Sequence, residues 1–167
     1  MANIVETVQR YMISDYIGIT SESTTTYHLM GAGFNTLDEN PNAQNKETIY
    51  ISDKSTTNYI QSYKPVFPFD TDLVKSETAV MALYDVGRNQ KTGSEAEFDY
   101  VRVELFKPVS DVEKTYEARK FRVSCEVSSV AGGGGETIKV TGNLNGVGDF
   151  IEGTFNISTK TFTPKGE

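Results

Sequence analysis

Residues 98–127 read FDYVRVELFKPVSDVEKTYEARKFRVSCEV, and apolar and polar side chains alternate at both ends of this stretch. The alternating apolar positions are Val101, Val103, Leu105, Phe121, Val123, Cys125 and Val127. The polar side of the same strands carries Tyr100, Arg102, Glu104, Arg122, Ser124 and Glu126. A period of two residues is typical of strands that bury one face. The stretch therefore predicts two antiparallel strands, each packed on a core through its apolar side.

The same pattern continues towards the C-terminus. The apolar positions there are Ile138, Val140, Leu144, Ile151, Phe155 and Ile157. We expect a turn at Gly132 to Gly135, and a tight hairpin at Asn145-Gly146, a dipeptide that favours this turn. Thr159-Lys160 would turn the chain into a short last strand. Residues 98–163 are thus predicted to form the main antiparallel strands.

Residues 71–89 have the periodicity of a helix. Val80, Leu83, Tyr84 and Gly87 follow the i, i+3, i+4, i+7 spacing of a helix that packs on a sheet. Thr71, Asp72 or Ser76 would cap its N-terminus.

Residues 1–18 are read as an N-terminal arm followed by a first strand. Together these elements predict one domain, residues 1–167, of mainly β class: an antiparallel β-sandwich or open barrel with one flanking α-helix and a long loop.

The predicted long loop spans residues 34–48, and its polar part runs from Asn35 to Glu47. A loop longer than about 12 residues without secondary structure is uncommon in a compact domain and is usually functional or disordered. An ordinary mobile surface loop is the other interpretation. The segment beyond the loop is too apolar to stay in water without a partner surface. Its apolar positions are Ile49, Tyr50, Ile51, Tyr59, Ile60, Tyr63, Val66, Phe67 and Phe69.

The composition favours neither catalysis nor nucleic-acid binding. Sixteen basic and 23 acidic residues give a net charge of −7, which argues against a general nucleic-acid binder. The single His28 and the single Cys125 do not form a zinc-like site, and Cys125 is expected to be a buried apolar residue. We predict no catalytic residue, no metal site and no cofactor. No secretory signal or membrane span is expected, which favours the cytosol.

Residues 31–73 read GAGFNTLDENPNAQNKETIYISDKSTTNYIQSYKPVFPFDTDL, in which a strand and a polar loop precede a Pro-aromatic run. This arrangement resembles the major tail tube proteins of tailed bacteriophages, particularly those of Gram-positive hosts. The resemblance implies a structural virion protein that forms stacked rings of six copies, the conduit for genome ejection. The tube would be assembled in the host cytoplasm and would stand bare or form the inner tube of a contractile tail.

The resemblance also implies partners: further copies of the chain, a tape-measure protein inside the tube, and the tail terminator and distal tail proteins. Double-stranded DNA would pass through without specific binding, and no membrane is involved. Contacts between rings are expected from the loop residues Asn35, Leu37, Asp38, Glu39, Asn40, Asn42, Gln44 and Lys46.

An acidic lumen would repel DNA phosphates, so Glu104, Glu126 and Glu152 are candidates for its lining. They could equally face the outside. Arg102, Arg122 and Lys139 lie on the same kind of face and could instead pair with acidic residues across strands.

A monomeric binding module, adhesin-like or carbohydrate-binding, is the alternative from another class, with the long loop holding the ligand. The absence of tryptophan argues against it. The two hypotheses differ in oligomeric state, since only the tube subunit forms rings or polymers.

Overall fold

A computed structural model describes residues 3–166, and most of them lie in β-strands. The strands are β1 (Ile13–Ser21), β2 (Thr24–Leu29), β3 (Phe34–Leu37), β4 (Ala43–Thr48), β5 (Thr57–Tyr63), β6 (Val66–Asp72), β7 (Glu97–Pro108), β8 (Thr115–Ala131), β9 (Lys139–Gly146), β10 (Ile151–Asn156) and β11 (Thr161–Pro164). The α-helix α1 spans Thr78–Arg88, and short 3₁₀ turns span Arg10–Met12 and Gly93–Ala96. The mainly β class with one flanking helix is confirmed.

The main sheet is antiparallel and has the strand order β2-β1-β7-β8-β9-β6-β3. Strand β8 is 17 residues long and pairs with β7 along one edge. Along its other edge, the first part of β8 pairs with β10 and the second part pairs with β9. Strand β11 adds to β10. Strands β4 and β5 form a separate two-stranded sheet.

The predicted hairpin at Asn145-Gly146 is wrong. Both residues belong to the end of β9, where they pair with Ser124 and Val123 of β8. Since β9 and β10 share β8 as a partner rather than pairing with each other, the chain passes from one to the other through residues 147–150. The turns at Gly132 to Gly135 and at Thr159-Lys160 are as predicted.

The central strand β7 is buried on both faces rather than on one. Val101 and Val103 pack with Tyr16 and Phe155 in one cluster, while Tyr100 packs in a second cluster on the other face. The helix and β6 cover this second face. Tyr100 is 0% exposed, so the expectation of a single buried face per strand fails at β7.

The helix begins at Thr78, later than predicted, because residues 66–72 form strand β6 with alternating burial. Thr71 and Asp72 therefore cap nothing and lie in β6. The predicted apolar stripe is present in part: Val80 and Leu83 are buried and Tyr84 packs partly buried against the core, while Ala79 and Val86 are the other buried residues of the helix. Gly87 allows the close approach to β8, since a Cβ there would lie 2.8 Å from Cβ of Val127.

The long loop is largely replaced by strands. Residues 34–37 form β3, which pairs with β6 in the main sheet, and residues 43–48 form β4. Only residues 38–42 connect them. Leu37 is buried in the core beside the sheet.

Candidate assembly surface

A two-stranded β-hairpin projects from the domain between Ala43 and Tyr63. Within the described part of the chain its strands pair only with each other, from Ala43 opposite Tyr63 to Thr48 opposite Thr57. Every residue of β5 is exposed. Its large apolar side chains are exposed as well, with Ile51 fully so: Ile49, Tyr50, Ile51, Tyr59, Ile60 and Tyr63. Among the described residues, no other element covers them.

This hairpin has too little support to be stable alone. A two-stranded hairpin without a sheet or helix on one face is marginal in water, and contiguous exposed apolar surface usually marks an interaction site. The hairpin also differs from the body in charge: Lys46 and Lys54 balance Glu47 and Asp53, so the net −7 lies entirely outside it. The hairpin itself therefore adds no net charge to the electrostatic repulsion expected between acidic chains.

The N-terminal arm is a second exposed apolar segment. Residues 3–9 have no regular secondary structure and are exposed, including Ile4, Val5 and Val8. Arg10 follows the arm and attaches it to the domain, because its guanidinium donates hydrogen bonds to the carbonyls of Ile13 (2.8 Å) and Leu37 (3.1 Å). The arm therefore leaves the domain from a fixed point.

The base of the hairpin is held by an ion pair. Glu39 precedes β4, and both of its carboxylate oxygens accept hydrogen bonds at 2.8 Å from the guanidinium of Arg119 on β8. Bidentate pairs of this kind fix orientation as well as distance. Lys64 closes the other strand, donating its backbone N–H to the carbonyl of Asn42 at 3.1 Å.

Beneath this base lies a buried polar cluster around Asp15 of β1. Its carboxylate is 1% exposed and accepts hydrogen bonds from Tyr100, from Arg102 (3.3 Å) and from Arg10 (2.7 Å). Burial and then the charge of Asp15 raise the pKa of Tyr100 well above its ordinary value. Burial lowers the pKa of Arg102, but Tyr100 and Asp15 outweigh that effect and raise it. Tyr100 thus keeps its proton and Arg102 its positive charge, as donation to this carboxylate requires.

The predicted inter-ring residues occupy different environments. Leu37 is 2% exposed because residues 34–37 form strand β3 rather than part of a loop, so its side chain is not free for the predicted contact between rings. Asp38 and Asn40 bond to the backbone of β6, Glu39 binds Arg119, and Asn35 donates to Asp72.

The other three predicted residues, Asn42, Gln44 and Lys46, lie at or in the hairpin. Their inter-ring role, and that of the loop as a whole, stays a prediction.

The three candidate lumen glutamates do not share a face. Glu152 lies opposite Arg119 in the β8–β10 register, and Arg119 stacks over Phe121 on the same side as Glu104. Glu126 follows the buried Cys125 and faces the other side, where it accepts a hydrogen bond from Asn145. They cannot line one surface together.

The basic residues of these faces pair across strands, as the sequence suggested. Arg102 contacts Asp15, Arg122 contacts Asp99 at 3.1 Å, and Lys139 lies 3.7 Å from Asp72. Each pair consists of directly opposite residues in the sheet register.

Within residues 3–166, no group of three or more His, Cys, Asp or Glu side chains is arranged to hold a metal ion. None of the helices in the described part is long and apolar enough to cross a membrane.

The sequence matches no protein-family model and no curated protein. Among solved structures, the fold is similar to that of a chain in the cryo-EM structure of the anti-feeding prophage baseplate, 6-fold symmetrised. The TM-score is 0.50 at 6% sequence identity, and the similarity covers 89% of this chain and 97% of that chain. At this identity the likeness concerns the fold alone, a fold that a prophage baseplate chain also has. Neither the tube role nor a Gram-positive host follows from it.

Proposed function

We propose that this protein is the structural subunit of a phage tail tube, or of the tube of a phage tail-like particle. Rings of six copies stack into a hollow tube through which the genome leaves the virion. The observation that carries the proposal is the projecting hairpin, Ala43 to Tyr63, which exposes six large apolar side chains and has no partner in the described chain. A further copy of the chain supplies the missing surface.

The open sheet edges support the same function. Strands β2 and β3 end the main sheet, and within residues 3–166 each has one side without a partner strand. Unpaired edges are templates for pairing with another chain, and a closed ring satisfies them in the plane without leaving free ends. The fold likeness to a chain from a 6-fold symmetrised baseplate is compatible with such a ring.

The subunit is then a virion protein that meets other tail proteins. The tape-measure protein occupies the lumen, and the terminator and distal tail proteins close the two ends of the tube. DNA passes without specific binding, consistent with the acidic balance of the chain.

The direct test is electron microscopy and sedimentation of the purified chain over a range of concentrations. We expect rings or tubes for the wild type. Replacing residues 48–57 by an Asn-Gly turn shortens the hairpin without touching the core, and this variant should stay monomeric. Val112→Ser removes an exposed apolar side chain from the β7–β8 connection and serves as the matched control. A wild type that remains monomeric at all concentrations contradicts the proposal and favours a binding module.

A further inference from the structure

An apolar groove lies at the base of the hairpin, where it meets the body. Its apolar lining comes from the hairpin side, with Pro41, Tyr63 and Pro65, and from the body, with Phe121 and Phe150. These five residues define the base groove. Its volume is about 450 Å³, within the range of about 300–1,000 Å³ in which proteins bind apolar groups.

The floor of the base groove is held by contacts between side chains. The guanidinium of Arg119 lies 5.3 Å from the ring centroid of Phe121 and 5.6 Å from that of Phe150. The two rings are 5.4 Å apart. Arg119 is itself held by Glu39. A preformed site of this kind loses little conformational freedom when it is filled.

The hairpin tip has matching chemistry. Ile49, Tyr50 and Ile51 are exposed at the far end, and Asp53 fixes the turn by accepting the Tyr50 N–H at 3.0 Å. Lys54 follows immediately. The tip is therefore an ordered apolar knob flanked by the carboxylate of Asp53, which is bound within the turn, and by the ammonium group of Lys54.

Charge complements this apolar fit. Asp149 lies on the rim of the groove, and neither Asp149 nor Lys54 takes part in an ion pair among the described residues. With Glu39 occupied by Arg119, Asp149 is the acidic group available to an incoming lysine. An apolar knob with a cation fits an apolar groove with an anion on its rim.

The knob and the groove of one chain cannot meet. They lie at opposite ends of the same hairpin, whose strands of 6 and 7 residues extend roughly 20 Å at about 3.3 Å per residue. The occupant of the groove must come from another molecule. A contact between two different patches of identical chains is head-to-tail: it closes into a ring where the rotation allows and otherwise extends as an open-ended stack, the arrangement that a tube requires.

We propose that the hairpin tip of one copy, Ile49 to Ile51, inserts into the base groove of the next copy, with Lys54 beside Asp149. This inference rests on the proposed function and specifies which surface receives the hairpin. Each copy then offers one knob and one groove along the axis of the stack.

The test uses the full-length chain and cross-linking. Ile51→Cys and Asp149→Cys in the same chain should give a ladder of disulfide-linked multimers when assembled protein is oxidised. Ile51→Cys combined with Asp111→Cys, in the β7–β8 connection, is the matched control and should give no ladder. Cys125 is buried and contributes no cross-link.

A charge reversal checks the same contact without oxidation. Lys54→Asp and Asp149→Lys should each raise the concentration needed for assembly on the order of tenfold, the change that loss of about 1.4 kcal/mol produces. The double variant should restore assembly.

The outcomes separate the two proposals. Normal wild-type tubes with no ladder and no effect of charge reversal overturn the knob-in-groove contact and leave the tube function standing. A cross-linked product that stops at a dimer overturns the head-to-tail arrangement. A wild type that never assembles overturns both.

Discussion

Replacing Asp15 by Asn tests whether the buried ion cluster holds the fold. The carboxylate is 1% exposed and is the counter-ion of Arg102, which is itself 7% exposed. Asn keeps the shape of the side chain but removes its charge, so Arg102 keeps only Glu39, with 3.8 Å between Nε and the carboxylate oxygen. Breaking a buried ion pair by neutralising one partner costs about 3–5 kcal/mol. We expect a loss of this size in the free energy of unfolding.

Such a loss is large against the roughly 5–15 kcal/mol that stabilises a typical domain. Urea unfolding followed by circular dichroism and tyrosine fluorescence measures it. Asp111→Asn is the matched control, because Asp111 is exposed and makes no ion pair in the described chain, and it should change stability by less than about 0.5 kcal/mol. If Asp15→Asn unfolds within about 1 kcal/mol of the wild type, the cluster is not a major contribution and the reasoning fails.

Three further predictions concern pH, packing and charge. Burial raises the pKa of Cys125 to about 12 from 9.0, so between these values the native thiol keeps its proton while the unfolded one loses it. The free energy of unfolding should therefore fall between about pH 9 and 12 by up to about 1.4 kcal/mol per pH unit. Urea titrations at each pH measure this fall, which should be less steep in Cys125→Ala. Gly87→Ala should lower the free energy of unfolding by about 1–3 kcal/mol in thermal or urea unfolding, because the added Cβ would lie 2.8 Å from Val127. An unchanged free energy of unfolding would mean that the helix can move away from the sheet at no cost. If Glu152 faces the lumen, Glu152→Lys should slow genome ejection at low salt whereas Glu126→Lys, on the opposite face, should not; equal effects of the two changes contradict the face assignment.

The strands from residue 98 onward could be predicted because most of them have one apolar face, and a period of two is visible wherever burial alternates. The N-terminal boundary of the helix could not be predicted in this way. Thr71 and Asp72 are good capping residues, but they sit in a strand that places Phe67 and Phe69 in the core. Tertiary packing of two aromatic side chains outweighed a local capping preference.

The projecting hairpin left no periodic signal. Strand β4 reads AQNKET, and neither of its faces is buried in the described chain. Its sequence therefore does not show the alternation of polar and apolar residues that a strand packed on a core shows. The sequence indicated only that the segment was long, polar and followed by apolar residues in need of a partner. Of these apolar residues, Phe67 and Phe69 lie in the chain's own core, whereas those from Ile49 to Tyr63 are exposed, and their need for a partner surface stays a prediction.

The Asp15 cluster was missed for a different reason. Tyr100 and Arg102 lie 85 and 87 positions from Asp15, and in the sequence they alternate with Val101 and Val103 like a polar, solvent-facing side of β7. A buried polar network looks like an exposed face in sequence, because periodicity distinguishes apolar from polar positions and not buried from exposed ones.

This cluster joins the two segments that leave the body. Arg10, at the end of the arm, binds the carboxylate of Asp15, and Asp15 contacts Arg102, which lies beside Glu39 at the hairpin base. The exit points of arm and hairpin are thus fixed relative to one another by side chains that are mostly buried and charged. An apolar core would stabilise the sheet equally well, but it would not hold the backbone of Leu37 and the carboxylate of Glu39 in fixed directions. If the chain assembles as proposed, each copy must present the same projecting surface, and directional hydrogen bonds at the exit points provide what non-directional packing cannot.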